Sequence, residues 1–150
     1  MSEGESFQRI VREIDRAVAT LDGLTAAQLE WKPVANANSV RVLVAHTVGA
    51  VQRHILQHVA GGAPGRARET EFSDPADADA IRARWKEVRP RIVAALERLD
   101  AATLERKLPP PQEDRTGRDM LVHAVAHASE HAGQAELTRD LAKSAQVPPG

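Results

Sequence analysis

The chain has 150 residues, a formal net charge of -1 and no cysteine. That length suits one domain whose core needs no covalent staple. The absent thiol excludes a disulfide framework and any thiolate site, and the balanced charge, with arginines interspersed among acids, supplies no basic field for nucleic acid.

Phe7, Ile10, Val11, Ile14, Ala17, Val18 and Leu21 recur at three- and four-residue steps and predict a first helix over 6–22. Residues 22–38 hold a short helical start at Thr25-Ala26-Ala27-Gln28, then Trp31, Pro33 and Asn36. A second helix is predicted over 39–60, with Val40, Val44, Val48, Val51 and Ile55 on one arc. Its β-branched residues would suit a strand, but some twenty residues without a turn signal favour helix. Residues 61–75, rich in glycine and charge, are long enough to cross the length of a bundle.

A third helix is predicted over 76–99, with Asp74 as N-cap before Pro75 and a stripe of Ile81, Trp85, Val88, Ile92, Ala95 and Leu99. Pro90 falls inside it and predicts a kink. Residues 100–116 form the last connection, where Pro109, Pro110 and Pro111 prevent helix continuation. A fourth helix opens at Thr116, with Asp119 as a capping-box acid, and continues through Leu121, Val125, Ala128, Ala132 and Ala135 to about 141. No strand or repeat is evident, and the tail from Gln146 is expected to fray. The expectation is an all-α four-helix bundle with long crossover connections, one domain over 1–150. Charges from Glu3 to Asp22 leave no export signal, and no apolar run nears the roughly 20 residues of a membrane span, so a cytoplasmic protein is expected.

All six histidines fall on two of these helices: His46, His54 and His58 on the second, His123, His127 and His131 on the fourth. Histidines four apart are neighbours on a helix, so His54/His58, His123/His127 and His127/His131 are each spaced to chelate an ion. The ordinary alternative is histidines at the core edge, satisfied by neighbours or water. At 100° per residue His131 flanks the apolar arc, His127 lies further out, and His123 faces solvent. His46 sits at the edge of the second helix's apolar face, with His54 and His58 nearer its centre. Geometry alone therefore does not choose between His46 and the His54/His58 pair.

The surrounding segments carry a resemblance. Trp31-Lys32-Pro33, then Asn38-Ser39 opening a helix that leads to His46, then His127-x3-His131 followed by Gly133-Gln134, resemble the DinB family of DinB/YfiT-like metalloenzymes over about residues 7–141. The resemblance implies a four-helix bundle with an unusual crossover and assigns the metal ligands to His46, His127 and His131. His54, His58 and His123 match no ligand position. Three imidazoles without a thiolate suit one divalent ion, zinc or nickel foremost, and leave a coordination position open as in catalytic sites.

The expected function is thus metal-dependent. Similar proteins in the wider group imply a transferase that joins a low-molecular-weight thiol, of bacillithiol or mycothiol type, to an electrophile. A non-catalytic, metal-stabilised binding or stress protein and a metal-dependent hydrolase are the alternatives. The expected partner is a small-molecule substrate, with no nucleic acid and no membrane; an apolar outer helix face could support a homodimer. Glu130 points about 100° away from His131 and is a poor general base. Trp85 reads as core, Trp31 as a structural cap, and Arg53 as a solvated side chain within reach of an anion.

Overall fold

The structure, a computed structural model, describes residues 3–65, 72 and 77–147. Its regular elements are helical, and the only β pairing among the described residues is an isolated bridge between Lys107 and Thr116. The first predicted helix is two pieces, α1 (Glu3–Phe7) and α2 (Arg9–Ala19). Ile10, Val11, Ile14 and Ala17 form the buried face of α2. A turn ending at Gly23, in the left-handed region at φ 70°, then redirects the chain. The short start at Thr25 becomes α3 (Ala26–Glu30) with a full capping box: the Thr25 hydroxyl accepts from the Gln28 N–H at 3.2 Å, and the Gln28 side chain accepts from the Thr25 N–H at 3.0 Å.

The second predicted helix is one arm of two kinds. Ser39 caps α4 (Val40–Val51) by accepting from the Val42 N–H at 3.3 Å. Every residue of α4 except Arg41 is buried. From Gln52 the arm widens into a π-helical segment, π1 (Gln52–Val59), which corrects the expectation of uniform α-helix over 39–60. The Ala60 N–H reaches back five residues to the Ile55 carbonyl at 2.8 Å. Gly61, at φ 74°, and Gly62, whose N–H donates to the Leu56 carbonyl at 2.8 Å, close the segment. A Cβ at Gly62 would lie 2.7 Å from that carbonyl oxygen, so the close approach requires glycine.

The third long helix, α5 (Ala78–Glu97), is capped by Asp77, whose carboxylate accepts from the Ala80 N–H at 2.8 Å. The cap expected at Asp74, with Pro75 at the first helical position, lies outside the described residues. Pro90 does not end α5. A short helix that the sequence reading did not foresee, α6 (Ala101–Glu105), is capped by Asp100, and the proline loop beyond it is pinned by the Leu108 N–H to the Arg115 carbonyl at 3.0 Å. The last helix, α7 (Gly117–Ser144), opens on the expected Thr116/Asp119 capping box and extends three residues past the expected end.

Helices α2, α4, α5 and α7, with π1, pack on one core that includes Ile10, Ile14, Val44, Ile55, Ile92 and Leu121. Trp85 is buried in it, and its indole N–H donates to Asp15 at 2.8 Å. Arg89 grips the same carboxylate with Nε at 2.9 Å and Nη2 at 2.8 Å. Burial pushes the Asp15 carboxyl up, but the Arg89 and Trp85 hydrogen bonds outweigh it and hold it below its ordinary value. Among the described residues, no helix is long and apolar enough to cross a membrane.

Candidate metal centre

The packing of α4 against α7 brings together histidines 81 or more residues apart in the chain. His46 is buried on α4, and His127 and His131, one turn apart on α7, are half-buried. The Nε2 atoms of His46 and His127 face each other at 3.1 Å. The His131 ring lies edge-on to both, with centroids 5.0 Å from His46 and 4.4 Å from His127. One nitrogen from each of the three falls within 4.8 Å of the others. Two nitrogens bound tetrahedrally to one zinc-like ion at 2.0–2.1 Å lie about 3.3 Å apart; the His46–His127 pair already has that spacing, and the His131 nitrogen lies within 4.8 Å of both. Among the described residues no carboxylate joins the group, and the donor set is three imidazoles.

Two features prepare these rings. His127 is neutral at physiological pH: burial, then the neighbouring His131, His46 and His123 and the charge of Arg53, push its pKa down to about 3. His131 is oriented by Gln134, one turn on, whose side-chain oxygen accepts from Nδ1 at 2.7 Å. That contact fixes the proton on Nδ1 and leaves the Nε2 lone pair for a metal. The Gln134 amide in turn donates to Glu130 at 3.2 Å. Glu130 is exposed and reaches His131 only through Gln134, which agrees with its reading as a poor general base. The sequence reading named no partner for the ring N–H groups, although Gln134 stood in the Gly133-Gln134 motif.

The other three histidines divide. His58 on π1 is half-buried, with its pKa lowered by burial and by Arg53. His54 turns toward α7, with its ring 4.9 Å from His123 and 5.4 Å from His127. Burial, then His127, His123, Arg53 and His58, push its pKa down to about 3, and its Nδ1 is buried without a hydrogen-bond partner. His123, expected in solvent, is instead half-buried against His54 and His127. Rotation about α7 alone does not reveal this, because the cover comes from His54 on the neighbouring π1. Phe72 stacks obliquely on His46 with centroids 4.7 Å apart, a contact no sequence periodicity signalled.

A comparison with curated proteins finds no match. The family model described as the DinB superfamily matches residues 9–135, a span that holds all three clustered histidines and Gln134. By that match over most of its length, the chain belongs to the DinB superfamily.

Proposed function

We propose that this protein is a metalloenzyme that binds one divalent ion, zinc or nickel, through His46, His127 and His131, and that it transfers a low-molecular-weight thiol to an electrophile. The observation that carries the reading is the donor set: three converging imidazoles with no fourth protein ligand among the described residues, the pattern of catalytic rather than closed structural sites. An ion held there would supply Lewis acidity, favouring the thiolate of a coordinated thiol at neutral pH.

The chain's own groups do the rest. Burial keeps His127 neutral and ready to ligate, Gln134 holds the His131 tautomer, and Phe72 flanks His46. The cysteine-free chain leaves the thiol to come from a cosubstrate. Hydrolysis is the second reading, and it lacks support from any carboxylate in the histidine group among the described residues.

The test is a panel of small thiols, including bacillithiol and mycothiol types, with a generic electrophile, comparing metal-loaded protein, chelated protein and His131→Ala. The reading predicts conjugation above background that disappears with chelation and with the substitution. Full metal occupancy without conjugation for any thiol would contradict the transferase.

A further inference from the structure

Two histidines outside the three-histidine centre also meet across helices. His54 comes from π1 and His123 from α7, and their rings lie edge-on with centroids 4.9 Å apart and planes at 69°. An imidazole bound at about 2.0–2.1 Å holds its ring centre about 3.2 Å from the ion, so two rings on one tetrahedral ion have centres about 5.2 Å apart. The pair sits as near that spacing as the rings of the three-histidine centre, whose centroids are 5.0, 5.0 and 4.4 Å apart. The helices fix the two backbones, and the soft terminal torsion of histidine is the freedom that aims a nitrogen of each ring inward.

His54 carries an unmet need. Its Nδ1 is buried with no hydrogen-bond partner among the described residues, a state that buried polar atoms rarely keep. Coordination through Nδ1 would satisfy that atom as a hydrogen bond does. Burial disfavours the charged form of both rings, and the neutral form is the one that ligates. The same surroundings limit the affinity. The charge of Arg53 acts on His54 and that of Arg115 on His123, and a dication approaches against both.

We propose that His54 and His123 hold a second divalent ion of the late first row, more weakly than the three-histidine centre and without sharing a ligand with it. Two imidazoles lack the third donor of the other centre, and water completes the shell. Such a site fills when metal is added and empties during purification, so it adds nothing to the one tightly held equivalent. The His54 ring lies 5.4 Å from that of His127, which places the second ion beside the first.

Calorimetric titration with zinc of protein already holding one equivalent tests this. A second equivalent should bind at least about tenfold more weakly than the first, whose affinity a competing chelator measures. His54→Leu and His123→Leu should each abolish the second equivalent and leave the first within about threefold, while His58→Ala should leave both. His46→Ala, titrated from the metal-free state, should lose the tight equivalent and keep the weak one. Failure of the three-histidine reading and failure of this one therefore show in different variants. Melting curves confirm that the variants fold. No second equivalent in the native protein, a second equivalent that survives both His54→Leu and His123→Leu, or one lost together with the tight equivalent in His46→Ala would overturn the proposal.

Discussion

The two halves of the second helical arm, α4 and π1, run in one direction without interruption yet do different things. In α4 every residue but Arg41 is buried, and the one histidine faces α7. In π1 only Ile55 and Val59 are buried, and apart from Leu56 the rest is polar: Gln52, Arg53, His54, Gln57 and His58. A regular α-helix packs its apolar residues and delivers His46 at a fixed depth. The wider π turn spreads its side chains, so that His54 meets α7 while Arg53 and Leu56 line cavities toward α5. An α-helical Val40–Val51 followed by a π-helical Gln52–Val59 thus gives one arm a buried half that carries His46 and a more polar half beyond it.

The largest effect that would sharpen this division is on metal affinity. His46→Ala, in α4, should lower affinity by about a hundredfold or more, since it removes one of the three proposed ligands. His54→Ala and His58→Ala, in π1, should leave it nearly unchanged. A loss with His54→Ala and none with His46→Ala would reverse the roles assigned to the two halves. Gln134→Ala should follow, with a loss of about 10- to 100-fold, because it frees the His131 ring to adopt the other tautomer.

Smaller effects probe the π segment itself. Gly62→Ala forces a methyl group against the Leu56 carbonyl and should cost about 1–3 kcal/mol in chemical denaturation. As a contrast on α7, Gly133→Ala, whose nearest contact would be the Arg16 side chain at an ordinary 3.9 Å, should be neutral or slightly stabilising. A further effect is a pH dependence. The folded pKa of His54 lies below its unfolded value of 6.5, so the unfolded chain binds more protons at acid pH. The stability tied to its neutral form is fully present above about 6.5 and is lost as pH falls from there toward 3. Between pH 7 and 5 the metal-free protein should lose on the order of 1–2 kcal/mol through His54, and His54→Leu should flatten the curve. An unchanged slope in His54→Leu would show that the ring is not held neutral by the fold.

Much of this was legible in the residues. Apolar steps of three and four gave the long helices, and Thr116 with Asp119 marked the start of α7 because capping chemistry is local. The approach of His46 to His127 and His131 was legible only through the family's segment pattern, since helix-face geometry left His54 and His58 equally eligible. What periodicity could not convey is the change of helix type at Gln52, which has no distinctive residue signature and misplaces every side chain counted at 100° per residue beyond it. The short α6 escaped because Asp100 and Thr103 form a cap without an amphipathic run to follow. The stacking of Phe72 on His46 joins residues from different segments, a contact that no helical spacing encodes.

Quantitative metal analysis of protein purified without a histidine tag or added metal tests the central claim most directly. About one equivalent of a single late first-row divalent ion is expected, lost in His46→Ala and retained in His54→Ala. Circular dichroism on the chelated protein should still show its helices, because the core is apolar and independent of the ion. A metal-free native protein, or an equivalent of metal that survives replacement of His46, His127 and His131 together, would contradict the account.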